Sequence, residues 1–354
     1  MTALYIIAAA LTLFVIVPGI ITAVLYERFF SKRFVTPEYR ALDPAEYPRL
    51  RMAPHEFRSA GGDLLKACYF TAEGVEPAAT VVMSHGFGGG GYNCYLDVIE
   101  YFAGAGFAVF AFDGTGNDGS EGRGVGGLPQ GLSDLDRAIG YVESAGGIPK
   151  LPVVVWGHSW GGYCAAAVLR FRPEVRAAAA FAGFDRTSDL IRAKGEGIIG
   201  RWISVIMPYV KVYEKLKYGK YGGVTVSDVL TSVKTPVFFA HGEKDTVIPT
   251  GYGYSLWEKK FGGDPRFTFV MREGYAHNNI YYSEHALAYV NDYNAEFDRW
   301  TRRLDYNAEA KENAGRFAKD RSEYMHAHID RSIWAHKADG EFLAGVAGFF
   351  MRNI

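Results

Sequence analysis

Six runs of apolar, β-prone residues punctuate the middle of this chain, and stretches with helical spacing lie between them. The runs are Thr80–Ser84, Ala108–Asp113, Pro152–Gly157, Arg176–Ala182, Pro236–His241 and Arg266–Met271. The intervening stretches include Leu96–Ala105, Leu132–Ser144 and Tyr163–Arg170. A strand that is apolar throughout needs cover on both faces, and crossover helices supply it. The pattern therefore predicts an α/β chain with a mostly parallel sheet and helices on both faces. In such sheets the chemistry gathers at the C-terminal ends of the strands. His55–Ala72 reads as two more strands around a Gly61-Gly62 turn.

The N-terminus carries a different constraint. Leu4–Tyr26 is an apolar run of 23 residues without a charge. As a helix it reaches ~34 Å at ~1.5 Å per residue, enough for a hydrocarbon core of ~30 Å. Pro18 and Gly19 inside it are tolerated in membrane helices. No Lys or Arg precedes the run, no small-x-small triplet closes it, and Arg28, Lys32 and Arg33 follow directly. These features argue against a cleaved signal peptide. They predict one transmembrane helix within residues 1–26, with the following domain on the cytoplasmic side by the positive-inside rule. Cys68, Cys94 and Cys164 have no CxxC spacing, which argues against a zinc site or a disulfide framework. With 38 Lys+Arg against 39 Asp+Glu, the chain has no cationic excess with which to displace counterions from nucleic acid.

Residues 27–50, of mixed charge with Pro37, Pro44 and Pro48, read as a linker to a domain over 51–354. Two segments interrupt the alternation. Asp185–Ser232 carries Ile198, Ile199, Trp202, Ile203, Ile206 and Met207 at near-helical spacing. It is either an extra core helix or a small helical cap (about 185–232). Residues from about 281 to 335 read as a helical insertion, and Ala338–Ile354 as an amphipathic helix.

The sharpest local signal is Gly157-His158-Ser159-Trp160-Gly161, set between the run Pro152–Trp156 and a helical stretch. This is G-x-S-x-G in a strand–turn–helix context. A serine on so sharp a turn leaves no room for a Cβ at the flanking positions, hence the glycines. The turn lifts the hydroxyl clear of the sheet, and the helix N-terminus behind it favours developing negative charge. Two later loops carry a conspicuous Asp and a conspicuous His. His241-Gly242-Glu243-Lys244-Asp245-Thr246-Val247-Ile248-Pro249 follows the fifth run. Gly274-Tyr275-Ala276-His277-Asn278 follows the sixth.

With these motifs the chain resembles the α/β-hydrolase superfamily, in particular its monoacylglycerol-lipase and serine-aminopeptidase-like group, over residues 50 to 280 and again in the last helix. The resemblance implies an α/β-hydrolase fold whose triad follows the order Ser, acid, His, here Ser159, Asp245 and His277. Asp185 is a competing acid, and Asp113 resembles a structural turn residue. Ser84-His85-Gly86-Phe87-Gly88-Gly89 resembles the family's oxyanion loop, so the backbone N–H groups of Phe87 and Trp160 are the implied oxyanion donors. The Gly88–Gly91 run lacks the G-K-[ST] ending of a phosphate loop. The expected activity is that of a membrane-anchored serine hydrolase on a small-molecule acyl ester, a monoglyceride or lysophospholipid being favoured, with neither metal nor organic cofactor. A thioesterase, an amidase or peptidase, and an acyltransferase would share this triad. A membrane-tethered binding module without catalysis is the reading from a different class.

Overall fold

The computed structural model describes residues 1–38 and 41–354. Eight strands form one sheet: β1 (Leu50–Arg58), β2 (Leu64–Ala72), β3 (Ala79–Ser84), β4 (Phe107–Phe112), β5 (Val153–His158), β6 (Ala178–Phe181), β7 (Val237–Gly242) and β8 (Phe267–Arg272). Their order is β1-β2-β4-β3-β5-β6-β7-β8. β1 and β2 form an antiparallel hairpin, and β2 lies antiparallel to β4. From β4 to β8 every pairing is parallel. The parallel strands are those marked by the six apolar runs, with ends shifted by one or two residues. The strand order reverses around β3, which sits between β4 and β5. A crevice opens at such a switch point, beyond the carboxyl ends of the strands.

The chain begins with α1 (Thr2–Leu11), a π-helical turn (Thr12–Ile16) and α2 (Val17–Phe30). Thr12–Phe30 is long and apolar enough to cross a membrane, and little of it is buried inside the protein. The π turn stands where Pro18, lacking an N–H, cannot bond the carbonyl of Phe14. α2 does not stop at Tyr26, and the stretch 27–50 is not a free linker. The helix runs on to Phe30. The N–H of Phe34 donates to the carbonyl of Gly116 at 3.0 Å, and Leu42 and Tyr47 are fully buried. Residues 39 and 40 of that stretch lie outside the described residues. Mixed charge suggests a linker on average, but Phe30, Phe34, Leu42 and Tyr47 each bring apolar surface that is better buried than exposed.

The helices α3 (Leu96–Gly104), α4 (Leu128–Ser144) and α5 (Trp160–Ala167) follow β3, β4 and β5. α6 (Thr187–Ile199) and α7 (Ile203–Tyr218), joined by a tight turn, and α8 (Val226–Ser232) lie between β6 and β7. α9 (Tyr254–Phe261) precedes β8. After β8 come α10 (Glu284–Thr301), α11 (Ala314–His328), the short α12 (Arg331–Trp334) and α13 (Gly340–Met351). The two-residue period of the strands splits the core in two. Val82, Phe110, Val155 and Phe239 face α4, α5, α8 and α9. Val81, Met83, Val154 and Trp156 face α3 and α13 on the other side. α10 and α11 build a separate small cluster around Tyr293 and Met325.

Helix α7 runs beside α2 in the same direction. Tyr209 donates its hydroxyl to the Phe14 carbonyl at 2.5 Å, replacing the N–H that Pro18 lacks. Tyr26 donates to the buried Glu214 carboxylate at 2.8 Å, and Thr187 donates to the same carboxylate at 3.0 Å. Glu27 accepts from Tyr213 at 2.6 Å and pairs with Lys217. The C-terminal half of the apolar helix is thus part of the folded domain. Tyr26→Phe removes one donor from a buried carboxylate. It is expected to lower stability by about 1–3 kcal/mol, read as a drop in the thermal midpoint of the detergent-solubilised chain. A helix removed as a leader would leave that midpoint unchanged.

Candidate active site

Ser159 sits on a strained backbone. β5 ends at His158 and α5 starts at Trp160. Ser159 between them has φ +60° and ψ −117°, a left-handed conformation that a residue with a Cβ rarely adopts. Such a residue costs about 1–3 kcal/mol and persists only where its surroundings fix it. Here the Ser159 N–H donates to the Phe181 carbonyl at 2.7 Å, and its carbonyl accepts from the Tyr163 N–H at 3.1 Å. The glycines of the motif answer to close backbone approach. A Cβ at Gly157 would lie 2.1 Å from the Gly161 carbonyl oxygen. One at Gly161 would lie 1.9 Å from the Ser84 oxygen, and one at Gly162 would lie 2.5 Å from the Phe181 oxygen.

Three side chains distant in sequence meet at this turn. Ser159 Oγ is 2.7 Å from His277 Nε2, and His277 Nδ1 is 2.6 Å from Asp245 Oδ2. A carboxylate only accepts, so Nδ1 carries the proton and Nε2 turns its lone pair to the hydroxyl. Asp245 and His277 are buried, while Ser159 keeps partial access to solvent. The other Asp245 oxygen accepts the N–H groups of Val247 and Ile248 at 2.9 and 2.8 Å, and His241 Nε2 lies 3.2 Å from Oδ2. Burial pushes this carboxyl up. Hydrogen bonds from His241, His277 and the Ile248 N–H outweigh it and hold the group well below the usual carboxylate range. The competing acid Asp185 is spent elsewhere: its Oδ1 accepts from the Ser227 N–H and hydroxyl and from the Trp257 indole.

The loop after β3 completes the site, because β3 and β5 are neighbours. A Cβ on Gly86 would meet Ser159 Cβ at 3.5 Å, so this loop touches Ser159. His85 pins it: Nδ1–H donates to the Gly86 carbonyl at 2.8 Å, and Nε2 accepts the Gly114 N–H at 2.9 Å. Burial pushes the His85 imidazole down, in keeping with a neutral ring. The expected oxyanion residues flank Ser159: Phe87 follows Gly86, and Trp160 is the first residue of α5, where an N–H has no partner within the helix. Their rings stack edge to face, with centroids 5.5 Å apart. The glycine run has no phosphate-loop character. The Gly91 N–H donates to Asp118 at 2.7 Å and the Tyr92 N–H to Asp113 at 3.2 Å, so carboxylates occupy those amides.

One network was not legible in the motifs. The Gly86 N–H donates to the Tyr95 oxygen at 3.2 Å, the Tyr95 hydroxyl donates to His158 Nδ1 at 3.0 Å, and His158 Nε2–H donates to the His277 carbonyl at 2.8 Å. It ties the loops of Gly86, Ser159 and His277 into one unit. The only hint in the sequence is the histidine inside the G-x-S-x-G motif. Above Ser159 lies a mainly apolar cavity of about 920 Å³, walled by α2, α6 and α7. Among the described residues no Asp or Glu lines it, and Lys194 is its one Lys or Arg.

Residues 75–228 match the family model described as serine aminopeptidase, S33. The fold is similar to the Pyrococcus furiosus esterase Pf2001 at 18% identity and a TM-score of 0.52, over 77% of this chain and 99% of that one. This chain has the α/β-hydrolase fold. The fold is also similar to Est1E from Butyrivibrio proteoclasticus, solved with ferulic acid, at 18% identity and a TM-score of 0.50, over 69% and 97%. A third similar fold is the Pyrococcus horikoshii acylaminoacyl peptidase, at 18% and 0.50, where 65% of this chain covers 38% of the larger one. No curated protein sequence matches it.

Burial, with the neighbouring His277 adding to it, pushes His158 down to about 3 from its ordinary 6.5. The unfolded chain takes up that proton below 6.5 while the folded chain does not. The stability held in neutral His158 is therefore complete above 6.5 and is lost as pH falls toward 3. Buried His85 acts in the same direction. Thermal midpoints measured from pH 7 to 4 are expected to fall, and less steeply in His158→Asn than in the parent chain.

Proposed function

We propose that this chain is a membrane-anchored serine esterase that cleaves the acyl ester of a lipid, a monoglyceride or a lysophospholipid, with Ser159 as nucleophile, His277 as base and Asp245 as its orienting carboxylate. The observation that carries the reading is the unbroken hydroxyl–imidazole–carboxylate chain, at 2.7 and 2.6 Å, at the floor of an apolar cavity.

The chemistry follows from the geometry. Ser159 is a weak nucleophile while it holds its proton; His277 Nε2 takes that proton as Oγ attacks the ester carbonyl, and returns it to the departing alcohol. Asp245, ionised through its hydrogen bonds, fixes the tautomer and stabilises the imidazolium. The N–H groups of Phe87 and Trp160 receive the charge that develops on the carbonyl oxygen, an effect worth about 3–4 kcal/mol per donor in a comparable hydrolase. Water then attacks the acyl-Ser159 ester by the same route, releasing the acid and restoring the serine.

The cavity supports a lipid ester over a peptide N-terminus. A free ammonium group is recognised by carboxylates, and the lining holds none among the described residues. Its apolar walls suit an acyl chain, and Lys194 suits an anionic headgroup. Thr12–Phe30 supports an anchor, because its buried end is built into the domain. The Lys and Arg residues just after it support a cytoplasmic domain.

Ser159→Ala is expected to abolish both ester hydrolysis and labelling by a fluorophosphonate; labelling that persists in this variant would refute the assignment. Asp245→Asn is expected to lower kcat ~10⁴-fold, by the loss of tautomer control known for such triads, with the fold retained by circular dichroism. On a p-nitrophenyl ester series, activity should rise with acyl length, and a preference for acetate would count against a lipid.

A further inference from the structure

Helix α2 is a wall of the cavity above Ser159 as well as a candidate anchor. Thr22, Leu25, Tyr26, Phe29 and Phe30 line one side, and Ile198, Ile199 and Ile203 from the α6–α7 turn line another. Leu25 is 52% exposed, Phe29 55% and Ile198 73%. Side chains that line a cavity and are also exposed stand at its mouth. That mouth is therefore framed by apolar groups from the membrane-length helix and from the turn beside it, with the exposed Lys194 as its one cation among the described residues. Phe30 also stacks edge to face on Phe87, with centroids 6.1 Å apart, so α2 reaches the oxyanion loop itself.

The depth of this mouth follows from how α2 and α7 are paired. Tyr209 meets Phe14 and Gly19, Glu214 meets Tyr26, and Lys217 meets Glu27. Glu27, Arg28 and Lys217 mark the polar end of the pair. Gly19 then lies ~10 Å below Tyr26 along the axis at ~1.5 Å per residue, within one leaflet of a hydrocarbon core of ~30 Å. The first turns of α7 start from that depth, and at the same rise the α6–α7 turn lies a further ~10 Å down, near the bilayer midplane. The sequence of α7 agrees, since Trp202–Val210 carries no charge, while Arg201 in the turn before it is exposed and charged. Trp202 and Val205 are 67% and 61% exposed. A contiguous apolar surface of this kind marks an interaction site. Its continuity with the span Thr12–Phe30 identifies the partner as lipid.

We propose that the cavity opens sideways into the leaflet, between α2 and the α6–α7 turn. One acyl chain passes from the bilayer to Ser159 through this gap, and Leu25 and Ile199 are specificity-determining residues for its length. The cavity volume of about 920 Å³ falls within the range that encloses a single small ligand, ~300–1,000 Å³. The inference rests on the esterase reading above, because the chain's carbonyl has to arrive at Ser159.

The test uses the full-length chain in phosphatidylcholine vesicles and two alkyl fluorophosphonates, one with a two-carbon and one with a fourteen-carbon chain. The readout is the ratio of long-chain to short-chain inactivation rates. Leu25→Trp and Ile199→Trp narrow the gap from opposite sides, and each is expected to lower the ratio at least tenfold. Ile20→Trp, equally exposed on α2 but outside the cavity lining, is expected to leave it unchanged. Both narrowed positions are at the surface, so either variant can stand for the other if one fails to fold. A ratio indifferent to both substitutions, or lowered as much by Ile20→Trp, overturns the lateral route and leaves the esterase reading intact. A parent chain that reacts with neither probe overturns that reading and this inference with it.

Discussion

The left-handed backbone of Ser159 is the constraint on which the rest of the site depends. Strain at one residue persists only if its neighbours leave no alternative. The neighbours here are two strands and a helix. Gly161 lies against the end of β3, Gly157 against the start of α5, and Gly162 against the end of β6. The nucleophile turn is therefore fixed by the order β3-β5-β6 in the sheet. That order in turn requires the crossover helices and the two apolar faces they cover. The same adjacency of β3 and β5 delivers Gly86 to within contact of Ser159, so one topological feature supplies both the strained turn and the loop beside it.

Around this rigid centre the polar groups are satisfied almost entirely by one another. Asp245 meets two backbone N–H groups and two imidazoles, which keeps a buried carboxylate ionised where burial alone would protonate it. Two further histidines, His85 and His158, are buried and held neutral, and each uses its two nitrogens as one donor and one acceptor between loops. A neutral imidazole suits this task because it bridges two partners without bringing a charge near His277. Rigidity of this kind is what a site needs if its donors are to be in place before charge develops.

The N-terminal helix shows how one substitution pattern can serve two surroundings. Pro18 would leave a carbonyl without a partner in a lone membrane helix. Tyr209 supplies the donor. Further along, Tyr26 and Glu27 exchange hydrogen bonds with α7 while Leu25 and Phe29 remain apolar and exposed. The helix therefore presents lipid-compatible side chains on one side and a specific polar seam on the other. A generic hydrophobic anchor has no use for such a seam.

Much of this was legible in the residues. The six parallel strands follow from apolar runs too continuous to face water, and the nucleophile turn from glycines where any side chain would collide. Asp245 and His277 follow from motif context rather than from local physics, since a loop acid and a loop histidine look alike anywhere on a surface. The bridging roles of Tyr95 and His158 were not legible: each bond in that chain crosses between elements far apart in sequence, and nothing in their neighbours' types announces it. Nor was the fate of residues 27–50, where composition averaged over Phe30, Phe34, Leu42 and Tyr47 hides four side chains that find buried places. By itself the sequence determined the sheet, the strained turn and the membrane-length helix, because periodicity, steric exclusion and hydrophobic length are local properties. Only the tertiary structure decided that this helix is a wall of the site and that Asp245 and not Asp185 meets the imidazole. Those outcomes depend on which surfaces come to face each other once the chain has closed.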